Sequence, residues 1–324
     1  MIPVPSIEQM READQFTIQH EPISSIQLLK RAAKNLFTAL KPERKKFNHF
    51  IIFCGPGNNG GDGLALAKLL LTETKTVQVF ALHSTKYSNE FLICENELKA
   101  ISHPITYIKT EKDFPEFGKK ICVIDALFGS GLNKPLNGIP ERLVNRINQK
   151  SSHTVSVDIP SGMMADVLNK GEYILAHRTL SIQFPKLSFF IPETGNHVGD
   201  FELVDIGIDK QFIQKIKTNN FLIEETDIKK ILKPRKKFDH KGKFGHALIV
   251  AGSEGMYGAA VLSSLACMRS GVGKTTLMTD KHFATQLATD KSTATHFWES
   301  IPLAVGCISN VRLHRLSRGK FHSI

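Results

Sequence analysis

Phe50-Ile51-Ile52-Phe53-Cys54-Gly55-Pro56-Gly57-Asn58-Asn59-Gly60-Gly61-Asp62-Gly63, running on into Leu64-Ala65-Leu66-Ala67-Lys68-Leu69-Leu70-Leu71, is the stretch that decides the fold. Phe50–Cys54 is a continuous apolar run of strand length, and the residues after Gly63 have helical composition. Glycines, two asparagines and one aspartate separate them. A strand–glycine loop–helix unit brings backbone N–H groups to a helix start, where a polar or anionic ligand can meet them. The spacing predicts a strand at 50–54, a helix from 63 to about 72 and a small-molecule site at 55–63. A plain βα turn would use the same glycines.

The alternation continues on both sides. Ile7, Met10, Ala13 and Phe16 stand at helical spacing, a second helix is expected over Ser25–Leu40, and a basic stretch covers 41–46. Downstream, strands are expected at 77–82, 105–109, 121–126, 154–158, 178–184 and 200–205, with helices at about 88–101 and 141–148. Near-continuous apolar strands alternating with helices predict an α/β fold, a doubly wound Rossmann-like parallel sheet flanked by helices. Ligands of such sheets bind beyond the carboxyl ends of the strands. Three strands deliver polar groups to that edge, into Gly55–Asp62, at Asp125 and at Asp158.

After the basic segment Lys233-Pro234-Arg235-Lys236-Lys237 the pattern resumes with a strand at 246–251, a glycine turn at 252–255, a helix at 258–269 and a strand at 275–278. The expected organisation is one domain over 1–220, a linker over 221–243, the partial start of a second α/β unit over 244–295 and an unassigned tail over 296–324. Periodicity fades beyond about 283, as in unrelated or frameshifted sequence. Ser270-Gly271-Val272-Gly273-Lys274-Thr275-Thr276 imitates a phosphate-binding loop, but it follows a helix and precedes a strand, the reverse of the order such a loop needs.

Bulk composition narrows the class. The 324 residues are 41% hydrophobic and 23% charged, as in a globular protein. No run of about 18 apolar residues predicts a membrane span, and Met1–Glu8 lacks the regions of a signal peptide. Five scattered cysteines without a CxxC pair suggest reduced thiols and a cytoplasmic location, with Cys54 and Cys122 as small apolar core residues. The net charge of +11 gathers at 41–46, 233–237 and 312–320 without interleaved aromatics, which argues against nucleic acid as the partner.

Gly55-x-Gly57-x-x-Gly60 fits a dinucleotide fingerprint, yet the next strand, 77–82, runs into His83 where a ribose-binding acid is expected. Asn58, Asn59 and Asp62 suit a cation or sugar hydroxyls better than a pyrophosphate. Asp62 also reads as the cap of a helix starting at Gly63, and the two roles are compatible. Asp125, ahead of Leu127-Phe128-Gly129-Ser130-Gly131-Leu132-Asn133-Lys134-Pro135, could act as acid or base or hold a cation. Asp158-Ile159-Pro160-Ser161-Gly162 adds a second carboxylate and a hydroxyl; each acid alone could be a loop cap.

Gly57–Gly63, Asp125–Gly131 and Val157–Gly162 together resemble the three signatures of the NAD(P)H-hydrate epimerase family, the YjeF N-terminal domain, and Glu8–Asp14 resembles its opening helix. The resemblance covers about residues 5–215. It implies epimerisation at C6 of the hydrated nicotinamide ring, interconverting the R and S forms of NADHX and NADPHX. It implies that Asn58, Asn59, Gly60, Gly61, Asp62, Gly129, Ser130, Gly131, Leu132, Asn133, Lys134, Pro135 and Asp158 bind this substrate. Asn59, Asp125 and Ser161 would hold a potassium ion, Asp125 would also be the acid/base, and the N-terminal helices would form a homodimer. The chain departs from the family at Lys30, which stands where an acid is usual, so reduced activity is expected if that acid supports the site or the dimer. Residues 225–280 resemble the start of the ribokinase-like, ADP/ATP-dependent NAD(P)H-hydrate dehydratase. The late Gly-Thr-Gly-Asp motif of that family is missing, so no dehydratase activity is expected. The alternatives are a non-catalytic nucleotide- or RNA-associated scaffold of the same fold and a true bifunctional enzyme.

Overall fold

The computed structural model describes residues 1–279, apart from 74 and 233, together with a short strand at His314–Arg315. The chain forms two units, Met1–Lys230 and a second beginning at Ile231. In chain order the first comprises β1 (Ile2–Pro3), α1 (Ile7–His20), α2 (Ser25–Ala39), α3 (Lys41–Lys46), β2 (His49–Cys54), α4 (Asn58–Leu71), β3 (Thr76–Leu82), α5 (Asn89–Ala100), β4 (Ile105–Ile108), β5 (Ile121–Ala126), α6 (Ile139–Lys150) and β6 (Thr154–Val157). It continues with β7 (Arg178–Ile182), α7 (Pro192–Val198), β8 (Asp200–Val204), α8 (Lys210–Lys215), β9 (Phe221–Leu222) and α9 (Glu225–Ile231).

Seven parallel strands form the sheet, in the order β4-β3-β2-β5-β6-β7-β8. From β2 the chain winds outward through β3 to β4, then returns to the other side of β2 and winds through β5 to β8. The order therefore reverses between β2 and β5, and the loops leaving those strands diverge above a crevice. Register sets the two exits level, since Cys54 lies opposite Ala126 and the Gly55 N–H donates to the Ala126 carbonyl at 3.0 Å.

Alternation along β2 builds both cores. Phe50, Ile52 and Cys54 pack against α2, α4 and α5 through Leu28, Leu36, Leu64 and Phe91, while Ile51 and Phe53 meet α6 through Val144 and Ile147. Leu28, Leu29, Ala32, Ala33 and Leu36 form the buried face of α2. Capping boxes at Ser6–Gln9 and Ser24–Gln27 start α1 and α2 by satisfying N–H groups that would otherwise lack partners.

The structure departs from the sequence expectations at several places. The helix after β2 starts at Asn58, with Gly57 as N-cap, and not at Gly63. Asp62 is consequently an interior residue of α4, and the capping role is excluded. The basic stretch 41–46 is itself a helix, with Arg44, Lys45 and Lys46 in its last turn, where cations suit the helix dipole. Finally, β9 pairs antiparallel with β1, and the Met1 ammonium bonds Asp227 Oδ1 at 2.6 Å. The first unit thus runs past residue 220 into the stretch expected to be linker.

In the second unit β10 (His246–Val250), α10 (Gly258–Arg269) and β11 (Lys274–Thr279) form a β-α-β unit with parallel strands. Among its described residues Ala260 and Leu277 are the buried hydrophobic ones, whereas Leu248, Val250, Met256 and Leu262 are exposed. Lys274 opens a strand after a helix, so it is not a phosphate-loop lysine. The expectations for the chain from about 283 onward lie almost wholly outside the described residues.

Candidate active site

A cavity of about 560 Å³ opens at the switch point between β2 and β5. Asn58, Asn59 and Asp62 line it from the start of α4, Gly129–Asn133 from the loop after β5, and Asp158 from the end of β6. Asp125, Ser161, Gly60, Gly61, Lys134 and Pro135, also expected at the site, do not line it.

The loops converge because glycines let their backbones touch. A Cβ on Gly55 would lie 1.6 Å from the Leu127 carbonyl oxygen, and one on Gly60 would lie 1.8 Å from the Gly55 carbonyl oxygen. A Cβ on Gly129 would meet Asp158 Oδ2 at 3.1 Å and Asn59 Cβ at 3.2 Å, which places those three residues together.

Asp125 is fully enclosed beneath this assembly. Its Oδ1 accepts from the Ser161 hydroxyl at 2.5 Å and the Leu127 N–H at 3.3 Å, and its Oδ2 accepts from the Ser156 hydroxyl at 2.8 Å and the Ser161 N–H at 2.9 Å. Burial raises its pKa against the opposing pull of those bonds. Among the described residues no basic side chain pairs with it. Ser161 Oγ in turn accepts from the Phe128 N–H at 2.8 Å, so the carboxylate ties the β5 loop to the β6 loop.

Asp158 adopts φ +68°, a region uncommon for residues other than glycine and a mark of a position held by its surroundings. Its Oδ2 accepts from the Ser130 N–H at 2.8 Å and its Oδ1 from the Lys186 ammonium. Lys186 is almost wholly buried, and its Nζ also donates to Ser181 Oγ at 2.9 Å and to the carbonyls of Phe184 and Ile182 at 3.1 and 3.2 Å. Burial alone would raise the Asp158 pKa; the adjacent Lys186 ammonium and the Ser130 N–H overcome it and hold the carboxyl below its ordinary value.

The other two carboxyls shift upward. Asp62 is buried in α4 with its carboxyl at the cavity wall, and burial, with help from the Asp158 and Asp14 charges, raises its pKa well above the ordinary value. Asp14 stands open to the cavity, yet the protein walls around it and the Asp158 carboxylate raise it to about 6. One cavity therefore holds a carboxyl kept below its ordinary pKa and two raised above it, one of them to about 6.

Asp14, Lys186 and Arg11 line the cavity and were not identified from sequence. Lys186 had a usable signal, because Phe184-Pro185-Lys186 follows the strand expected at 178–184. Asp14 and Arg11 had none beyond their place in the opening helix.

Lys30 has a different position from the one its family departure suggested. Ser25, Leu28, Leu29 and Ala32 of α2 line the cavity, whereas Lys30 is exposed and pairs with Glu97 of α5, which also bonds Lys68 at 2.9 Å. Lys30→Glu is expected to leave turnover unchanged and to cost no more than about 1 kcal/mol in urea unfolding, because exposed pairs contribute little.

Asn59 is the residue most suited to a further ligand. Both atoms of its side-chain amide are buried without a hydrogen-bond partner, a costly arrangement unless something binds there. Among the described residues no cluster of three or more His, Cys, Asp or Glu could hold a metal ion. A site of amide, hydroxyl and single carboxylate oxygens is of another kind, and the orphaned Asn59 amide and Asp125, which has no basic partner among the described residues, fit it. No helix among the described residues is long and apolar enough to cross a membrane.

The chain is similar to known proteins. The family model described as NAD(P)H-hydrate dehydratase matches residues 247–301. The chain is 33% identical over 214 residues to an NAD(P)H-hydrate epimerase of Anaerococcus prevotii, an alignment covering 64% of this chain and 96% of the relative. It is 30% identical over 275 residues to the bifunctional NAD(P)H-hydrate repair enzyme Nnr of Coxiella burnetii, covering 84% of this chain and 55% of the relative. The chain thus spans about half the length of such bifunctional relatives. The crystal structure of yeast ynu0 superposes with a TM-score of 0.53 at 21% identity, over 70% of this chain and 98% of that one, and so shares the fold. The family model described as YjeF-related protein N-terminus matches residues 25–188, from the helix flooring the cavity to the lysine that closes it, and the chain belongs to that family.

Proposed function

We propose that this chain epimerises C6 of the hydrated nicotinamide ring and so interconverts the R and S forms of NADHX and NADPHX. The observation that carries the reading is the trio of carboxyls in one switch-point cavity whose surroundings drive their proton affinities apart.

Inversion at C6 requires the bond to its hydroxyl to break and re-form on the opposite face. Asp62, whose hold on its proton is strengthened by burial, gives that proton to the departing hydroxyl, which leaves as water while the N1 lone pair forms a C6–N1 double bond. The resulting cation lies beside the Asp158 carboxylate. Water then adds to the other face and loses its proton to Asp14. Asp62 has lost one proton and Asp14 has gained one, and the two exchange through water in the open cavity. The general acid–base task is thereby divided between groups matched to it.

The earlier expectation gave the acid/base role to Asp125. Enclosed under the loop and clear of the cavity, Asp125 instead holds the loops together and, with Asn59 and Ser161, provides oxygen ligands for a potassium ion. That ion, when bound, supplies a fixed positive charge beside a buried carboxylate. Asn58, Gly129–Asn133 and Asp158 contact the substrate; Gly60, Gly61, Lys134 and Pro135 shape the loops that carry them.

The test follows the R/S ratio of NADHX over time with wild type, Asp62→Asn and Asp14→Asn. Wild type should bring the ratio to equilibrium well ahead of the spontaneous rate, with both variants slowed at least about a hundredfold, the scale of a lost proton-transfer group. A wild-type time course indistinguishable from buffer would end the proposal.

The same carboxyls set the pH dependence. Asp14 must be ionised to accept a proton, so kcat/KM should rise between about pH 5 and 7 with a limb near the raised value of about 6. Asp14→Asn should abolish that limb. The linked stability runs the other way: the folded state holds the Asp14 proton more tightly than the unfolded state does, so this contribution is full below the ordinary aspartate pKa and is lost as pH rises through about 6.

A further inference from the structure

An anionic substrate entering this cavity meets mostly acid. Among the described residues, the basic side chains lining it are Arg11 and Lys186. Lys186 is already committed, paired with Asp158 and bonded to the Ser181 hydroxyl and two carbonyls. Arg11 has no such commitment: it is exposed, and among the described residues it forms no hydrogen bond or ion pair.

Its position is defined by two neighbours. A Cβ on Gly131 would lie 3.7 Å from Arg11 Nη2, so the guanidinium stands against the glycine turn Gly129–Asn133. Arg11 and Asp14 are three residues apart on α1, hence on one face and about 4.5 Å apart along the helix axis. Met10, Arg11, Asp14 and Ile18 together form the α1 wall of the cavity. Along that wall Arg11 stands beside the glycine turn, whereas Ile18 packs against the apolar cluster that includes Leu28, Ala32 and Ile206.

We infer that Arg11 is a substrate-positioning residue that holds the diphosphate of the hydrated dinucleotide against the Gly129–Asn133 turn, about one helical turn along α1 from Asp14. The inference rests on the epimerase reading. A diphosphate carries two negative charges that the Asp158 carboxylate would otherwise repel. A guanidinium binds phosphate oxygens through paired N–H donors, and small glycines opposite it leave room for the phosphorus centres. Because the diphosphate does not change during the reaction, its grip is equal in ground and transition states and should be expressed in KM more than in kcat.

The test has two arms. In the first, ADP-ribose, which has the diphosphate but no nicotinamide ring, is titrated calorimetrically into wild type and Arg11→Gln. Wild type should bind it and Arg11→Gln should bind about ten- to a hundredfold more weakly, the equivalent of losing a charged hydrogen-bonded pair. In the second, epimerisation of NADHX is compared with that of the hydrated form of reduced nicotinamide riboside, which has no phosphate. Arg11→Gln should raise KM for NADHX by a similar factor and leave the riboside reaction as in wild type. Arg11→Lys should recover part of the loss, because a single ammonium keeps the charge but not the paired donors.

Equal ADP-ribose affinity in wild type and Arg11→Gln overturns the inference, and so does wild type failing to bind ADP-ribose. An equal loss on the riboside overturns it too, by showing that Arg11 shapes the site without holding phosphate. Failure of the epimerase reading gives a separate result, with no catalysis of either substrate by wild type while the ADP-ribose arm still reports on Arg11.

Discussion

Lys186→Met is expected to destabilise the first unit by about 3–5 kcal/mol in urea unfolding at neutral pH, the range for removing one partner of a buried ion pair. The Lys186 ammonium is almost fully enclosed and its hydrogen-bonding is satisfied by Asp158 Oδ1, Ser181 Oγ and the carbonyls of Ile182 and Phe184. Methionine fills most of the space but leaves Asp158 without its counter-charge and two carbonyls without a donor. The substitution should also abolish epimerisation, because an unpaired Asp158 beside Asp14 and Asp62 will take up a proton.

The pH dependence separates charge from packing. Asp158 is held below its ordinary value in the folded state, so its contribution to stability is present above the ordinary aspartate pKa and is lost as pH falls through the depressed folded value. The difference between wild type and Lys186→Met should shrink as the pH is lowered over that interval. The double variant Lys186→Met/Asp158→Asn, which removes both charges, should recover more than half of the lost stability. A loss below about 1 kcal/mol for Lys186→Met would show that the pair is not the support described here.

Gly55→Ala is expected to cost at least about 4 kcal/mol, enough to leave little folded protein. The physical reason is a stack of three backbones. A methyl on Gly55 would sit 1.6 Å from the Leu127 carbonyl oxygen, and Gly60 is pressed as closely against Gly55. Neither obstacle is the tip of a flexible side chain, so relief requires β2 and β5 to separate at the point where Cys54 and Ala126 are in register. Gly60→Ala should behave in the same way. Gly57→Ala is the control, since a Cβ there meets nothing within 4 Å and φ is −95°. Its cost should be about 1 kcal/mol or less, the value of a weakened N-cap. Thermal melts of the three variants would decide the matter, and equal effects at Gly55 and Gly57 would refute the stacking argument.

Most of the fold was readable from residues 50–63 outward because its signals are local. The apolar runs of β2, β5 and β6 and the amphipathic face of α2 depend on residues within a few positions of one another, and the observed spans differ from the expected ones mainly at their ends. Short helices such as α7 and α8 escaped notice because seven and six residues carry too little periodicity. The start of α4 was misplaced for a related reason. Asn58-Asn59-Gly60-Gly61 has poor helix propensity, and that segment is helical because Gly60 and Gly61 pack against Gly55 and Leu29.

The candidate site divides along the same line. Asn58–Asp62, Gly129–Asn133 and Asp158 were legible because each lies at the end of an apolar strand, where the chain itself announces a sheet edge. Their glycines mark close approach, yet the strand order β4-β3-β2-β5-β6-β7-β8 is a property of long-range pairing, and it alone sets which edges meet. That pairing buried Asp125 beneath its loop, brought Lys186 from beyond β7 onto Asp158, and laid the face of α1 with Arg11 and Asp14 across the opening. Which carboxyl is ionised and which keeps its proton depends on desolvation and neighbouring charge. Those are fields summed over residues distant in the chain, and they exist only once the sheet has closed.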